Sequence, residues 1–406
     1  MDRTTVAHVL RLCTAMLIGN LAAGTLQAAE TIKIGVLNDQ SGVYADNGGA
    51  GSVAAARLAV EDFGGELLGQ KIEIVSADHQ NKADVASAIA RKWFDAEGVD
   101  AIADGGASSA GFAILEAARQ RNKIFIISGP ASSDFTGKAC SSTAFHFTYD
   151  TYALSKLTSD AITRAGGNTW FFLTADYAFG HALQRDASKM IEEAGGKVIG
   201  SAAHPLGTSD MASFLLQAQS SKAKVIGLAE AGSDFQTVMK QANEFGVTEG
   251  GQQLAGLLVY ITDVNALGLK VTQGLQVATS FYWDLDDETR AWTKRFSALA
   301  NNKVPSMVQA GVYSGVRHYL AAVKAAGTKD PEVVARKMHE LKVDDMYNHG
   351  VAIRADGRVL HKMYLVRVKK PEESKYRYDY YRIVTSARGE DVFRPVSEGN
   401  CLLAKG

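Results

Sequence analysis

Two short serine-rich segments carry most of the chemistry open to this chain. Residues 106–111 read GASSAG and residues 128–134 read SGPASSD, each directly behind an apolar run, AIAD and KIFII. Hydroxyls and unpaired backbone N–H groups at a helix start attract negative charge, so Ser108 and Ser109 read as the grip for a carboxylate, and the second segment offers the same chemistry again. A purely local reading competes with it: Ser108 caps the helix that starts near Ser109, and 129–130 is an ordinary glycine–proline turn. A third segment, TADYAFG at 174–180, brings aromatics instead, and more follow at Tyr260 and at Phe281-Tyr282-Trp283. Together with Tyr44, the residues Tyr177, Phe179, Tyr260 and Tyr282 suit apolar walls around a flat or branched group, whereas Phe281 reads as core. Glu230 and Asp234 flank AGS behind VIGLA, where they would receive a cation or cap the next helix.

Signatures of catalysis are weaker. GASSAG misses the GxSxG spacing of a nucleophile elbow by one residue, and His146, His181 and His204 stand in no recognisable triad context. Residues 49–54, GAGSVA, match the GxGxxA form of a dinucleotide fingerprint, with Asp78 in place of its ribose acid. That fingerprint closes the turn immediately after a strand, whereas here a ten-residue loop separates Asn38 from Gly49. Close packing of a helix on a sheet is the expected use of these glycines. HExxH, CxxC and calcium-loop spacings are all missing from the sequence, so no metal, no cofactor and no enzyme are expected.

Loops of this kind need a frame, and the chain supplies one by alternation. Strand patterns at 31–38, 71–77, 100–104 and 123–128 alternate with helical patterns at 50–63, 84–98 and 109–120, and 143–149 is a further extended piece. From 151 the rhythm restarts, with strands at 169–174, 197–203, 225–229 and 254–260 and an extended run at 274–283. Helices at 287–298, 306–326 and 331–342 follow, then paired strands at 362–370 and 378–384 joined by PEESK. Such alternation gives parallel strands with right-handed crossovers, so the predicted fold is α/β with two doubly wound, Rossmann-like lobes in series. Ligands of such sheets bind beyond the carboxyl ends of the strands, where the serine and aromatic segments fall.

Residues 1–29 read as a secretory leader, with Arg3 and Arg11 around its start, a short apolar core at 13–26 and small residues at Ala28 and Ala29. Its removal leaves about 377 residues, more than one hydrophobic core usually serves. An exported chain with this fold is expected to capture a solute in the periplasm. Charge is balanced at 43 Lys plus Arg against 44 Asp plus Glu, without a basic stripe, which argues against nucleic acid and anionic lipid. No stretch after the leader is long and apolar enough for stable membrane insertion. Outside the leader stand Cys140 and Cys401, both in polar segments, and an oxidising compartment favours a bridge between them.

The order of DQSGVYAD, GGASSAG, SGPASSDFTGKAC, TADYAFG and GLAEAGSD along the strand ends resembles one family, the periplasmic substrate-binding proteins of ABC importers, in the leucine or branched-chain amino-acid type. The resemblance spans nearly the whole mature chain. It implies a type I Venus-flytrap: 30–148 plus 283–361 as one lobe, 149–282 plus 362–406 as the other, three crossing segments, and a permease as partner. It also implies that Ser108, Ser109, Ala131 and Ser132 hold a ligand carboxylate while Tyr177, Phe179, Glu230, Gly232 and Tyr260 close over it. One departure bears on the ligand. The amino-acid binders carry a glutamate for the ammonium group in the loop following the strand that here reads AGLLVYITD; this sequence has none there, and Asp263 is the nearest acid. An aromatic or otherwise apolar carboxylate is therefore the first expectation, with an amino acid or a ligand-sensing role as the alternatives.

Overall fold

The computed structural model describes residues 31–404, so the leader read at 1–29 lies outside the described residues. The first sheet contains β1 (Thr31–Asn38), β2 (Glu66–Leu67), β3 (Gln70–Asp78), β4 (Ala101–Asp104), β5 (Ile124–Ile127) and β6 (Ala144–His146), in the spatial order β2-β3-β1-β4-β5-β6. Apart from the β2–β3 hairpin, its pairings are parallel. Chain order reverses direction at β1, because β3 lies on one side of it and β4 on the other. The loops behind β1 and β4 consequently diverge and leave a crevice between them.

The second sheet repeats the device with β7 (Thr169–Ala175), β8 (Lys197–His204), β9 (Val225–Ala229) and β10 (Gln253–Gly256), ordered β10-β9-β7-β8 and parallel throughout. Its switch point falls between β7 and β9. A third, antiparallel sheet joins β11 (Gln276–Thr279), β12 (Met363–Val368) and β13 (Tyr381–Ala387). The last two are the pair expected around PEESK, with one difference in boundary. Tyr378 has a φ of +68°, which a strand does not accommodate, and its carbonyl accepts from the Trp283 indole at 3.0 Å, so pairing starts at Tyr381. The expected strand at 254–260 likewise ends at Gly256, and Tyr260 opens the short helix Ile261–Leu267.

Residues 49–54 sit at the start of the helix Gly49–Phe63, as close packing demands. A Cβ on Gly51 would lie 2.1 Å from the Gln309 side chain of the helix Met307–Ala326. That second helix packs on the first, returning the chain to the first sheet after its excursion through the second. The chain thus passes out of the first sheet after β6, back to it with the helix Met307–Ala326 and out of it again before β12.

Arg358 ties two of these passages together. Its side chain is fully buried, donates to the carbonyls of His146 (2.5 Å) and Thr148, and pairs with Asp150 at 3.3 Å. The guanidinium lies 4.2 Å from the centre of the Phe393 ring. Cys140 and Cys401 form a disulfide, as the compartment argument expects.

Candidate functional site

Between the two switch points lies a narrow pocket, lined from the first sheet by Asn38, Asp39, Tyr44, Asn47, Asp104, Ser108 and Ala131. β4 ends at Asp104, and two glycines with positive φ, Gly105 and Gly106, turn the chain into the helix Ser108–Gln120. That helix has no side-chain cap, because Ala107 occupies the N-cap position. Its first N–H groups therefore lack intrahelical partners and present the positive end of the helix toward the pocket. Ser108 completes this arrangement. Its Oγ accepts from the backbone N–H groups of Ala131 and Ser132, each at 3.2 Å, which leaves its own proton to donate.

The second lobe contributes Tyr177, Phe179, Ala231, Leu258 and Tyr260 to the same pocket. The two bodies meet directly around it. The hydroxyls of Tyr44 and Tyr177 are hydrogen-bonded, as are those of Tyr149 and Tyr260. Thr262 donates to Asn47 Oδ1 at 2.6 Å, and the Ser233 N–H donates to the Val43 carbonyl at 3.2 Å. Burial holds all four phenols above the ordinary tyrosine range, so each is a neutral O–H able to donate. The geometry is that of a closed cleft with rings on both jaws.

Of the sequence-predicted residues, the structure brings Tyr44, Ser108, Ala131, Tyr177, Phe179 and Tyr260 together around the pocket. Ser109, Ser132, Glu230, Gly232 and Tyr282 do not line it. Ser109 belongs to the first helical turn but stands off the pocket, and the Ser132 Oγ instead accepts from the Asp134 N–H at 3.3 Å, capping the next turn. Tyr282 faces the third sheet, where its ring packs 5.3 Å from that of Tyr381. Gly232 acts at the meeting of the jaws: at φ +64°, a Cβ there would lie 2.4 Å from the Val43 carbonyl oxygen.

Glu230 is fully buried and ion-paired with His204 at 2.7 Å. The His204 Nδ1 faces the Pro205 carbonyl at 3.0 Å, so the ring lies between a carbonyl and a carboxylate, both of which favour a positive charge on it. Burial opposes that charge, but the Glu230 carboxylate outweighs it and His204 titrates above the usual imidazole range. Glu230 itself is raised by burial, against the opposing pull of His204. Asp234 does not cap its helix; its carboxylate accepts from the Gly207 N–H at 3.0 Å. Asp263 is pushed up to about 6 by burial and accepts from Gln236 at 2.8 Å and the Tyr260 N–H at 2.9 Å.

Sequence reasoning missed Asn38, Asn47, Asp104 and Val308, all of which line the pocket. Asn47 stands in DNGG, which reads as a turn, and Val308 arrives from a helix more than two hundred residues further along the chain. Among the described residues, no group of histidine, cysteine or acidic side chains is placed to hold a metal ion.

Residues 31–375 match the family model for periplasmic binding proteins. The chain belongs to the periplasmic binding protein family. Among solved structures it is similar to a periplasmic binding protein from Burkholderia mallei, 46% identical, with a TM-score of 0.90 over 92% of this chain and 99% of that one. It is also similar to a branched chain amino acid ABC transporter periplasmic ligand-binding protein from Burkholderia xenovorans LB400, 42% identical, with a TM-score of 0.81 over 92% and 100%. The fold extends to the solute binding protein of an ABC transporter from R. palustris solved with benzoate, 20% identical, with a TM-score of 0.80 over 92% and 100%. The architecture is thus a type I Venus-flytrap. A periplasmic binding protein binds and releases rather than catalyses, which places this one outside the enzymes. No helix among its described residues is long and apolar enough to cross a membrane.

Proposed function

We propose that this periplasmic binding protein captures a small aromatic carboxylate in its cleft and delivers it to the permease of an ABC importer. The observation that carries the reading is the pairing of an uncapped helix start, with the free Ser108 hydroxyl, against four rings from both jaws: Tyr44, Tyr177, Phe179 and Tyr260. An α-ammonium group finds little to hold it. Glu230 is ion-paired with His204, Asp263 is held by two protein donors, and Asp39 accepts from the N–H groups of Gly42 (2.7 Å) and Tyr44 (2.9 Å). In this reading the first lobe comprises 30–148 and 283–361, the second comprises 149–282 and 362–406, and export places the protein in the periplasm. The R. palustris neighbour, solved with benzoate, lends the fold-level precedent.

Thermal-shift measurements with benzoate and with leucine test the proposal. Benzoate at a hundred times its Kd is expected to add about 2.7 kcal/mol to the unfolding free energy, with no shift for leucine. The reverse pattern favours the second reading, an amino-acid binder, which the name of the B. xenovorans relative supports.

Two substitutions follow. Ser108→Ala removes one donor to the carboxylate and unpairs the N–H groups of Ala131 and Ser132, so affinity for the acid falls by about 2 kcal/mol, roughly thirtyfold in Kd, while Ser109→Ala changes it little. Titration calorimetry on both variants reads the contrast. Gly232→Ala places a methyl against the Val43 carbonyl and forces an unfavourable φ, so closure is impeded and affinity falls for every ligand alike. Small-angle scattering of the ligand-saturated variant should then remain at the wider dimensions of an open cleft.

A further inference from the structure

Two buried amides in the pocket wall hold polar atoms that no protein group satisfies. Asn38, at the end of β1, is 1% exposed. Its Nδ2 donates to the Gly49 carbonyl at 2.9 Å and to Asp104 at 2.8 Å, which fixes the orientation of the amide and leaves Oδ1 as an acceptor without a donor. Asn47 is 2% exposed. Its Oδ1 accepts from Thr262 across the cleft at 2.6 Å, which leaves Nδ2 as a donor without an acceptor. Both residues line the pocket that holds Ser108 and the tyrosines.

An unmade hydrogen bond on a buried amide is costly, and the guest decides whether it is made. A bare ring edge offers neither donor nor acceptor. An ether oxygen accepts from Asn47 but gives nothing to Asn38, and an ammonium group donates to Asn38 but gives nothing to Asn47. A ring hydroxyl carries both functions on one oxygen, a proton that Asn38 can accept and lone pairs to which Asn47 can donate. Resting on the aromatic-carboxylate reading above, we infer that the pocket selects ring-hydroxylated aromatic acids over unsubstituted ones, with Asn38 and Asn47 as the residues that set this preference. The role of Asn47 has a second side. The same amide receives Thr262 from the opposite jaw, so a guest that orders Nδ2 also orders the bond that holds the cleft closed.

Titration calorimetry of the full mature protein with benzoate, 3-hydroxybenzoate, 4-hydroxybenzoate and 4-methoxybenzoate tests this. At least one hydroxybenzoate is expected to bind about tenfold or more tighter than benzoate, with the methoxy acid behind it. In Asn47→Ala that ratio is expected to collapse to about threefold or less, whereas Thr262→Val, which removes only the cross-cleft donor, weakens all four ligands together and keeps the ratio. Equal affinities of wild-type protein for benzoate and both hydroxybenzoates overturn the inference without any variant and leave the aromatic-acid reading standing. A hydroxyl preference that survives intact in Asn47→Ala overturns the assignment to Asn47. Failure of all four acids to bind removes the aromatic-acid reading itself, and this inference with it.

Discussion

Replacing Arg358 by methionine lowers the unfolding free energy by about 3 to 5 kcal/mol, read as a fall in the urea midpoint. The size follows from what the substitution leaves behind. Burial pulls the Arg358 guanidinium down to about 10, still charged at neutral pH, and the carbonyls of His146 and Thr148 and the carboxylate of Asp150 all depend on it. Methionine fills the volume but donates nothing, so a buried carboxylate and two carbonyls lose their partner together. Asp150 also accepts from the Ala153 N–H at 2.8 Å, so it is fixed in place and cannot swing out to water. Adding Asp150→Asn, which keeps this cap and discards the charge, should recover part of the loss. No recovery in the double variant would mean that the ion pair is not the source of the effect.

Removing the disulfide is the second large effect. Cys140→Ser with Cys401→Ser is expected to cost about 5 to 6 kcal/mol, because the bond closes a loop across 261 residues and restricts the unfolded chain accordingly. The bridge also acts on the folded molecule. Cys140 lies in the loop behind β5, while Cys401 lies in the tail that leaves β13 of the third sheet. Along that tail Arg394 donates to the Ser133 carbonyl at 2.6 Å and Glu398 pairs with Lys189. The disulfide therefore fastens the segment behind the third sheet to the loop behind β5 of the first. Unfolding the double variant and the oxidised protein in parallel checks the figure; coincident transitions would contradict it.

The sequence made the frame legible because each parallel strand is a compact apolar run closed by small polar residues: TIKIGVLN, AIAD, IFII and VIGLA. Where such a run ends in GASSAG, the helix start and Ser108 follow from local rules. Contacts between distant segments were less accessible. Glu230 and His204 come from neighbouring parts of the second lobe, yet nothing in GLAEAGSD announces that the carboxylate turns inward to a histidine and away from the cleft. Tyr282 and Tyr260 look alike in sequence. Packing separates them, since Tyr381 captures one ring and the cleft keeps the other. Ser132 was readable as a hydroxyl, but its use as a local cap depends on the turn at Asp134. The strand boundary at Tyr381 reflects a single left-handed residue, Tyr378, a conformation that tyrosine seldom adopts.

The same separation explains the chemistry of the pocket. Its acids, Asp39 and Asp104, are engaged by protein donors, whereas the Ser108 hydroxyl and one amide N–H remain able to donate. Such a surface prefers a guest that brings negative charge and a ring.

The most direct measurement is mass spectrometry of the small molecule released when protein purified from its native host is denatured. The account predicts a carboxylic acid that bears an aromatic ring and lacks an ammonium group. Release of a free α-amino acid in stoichiometric amount would contradict it.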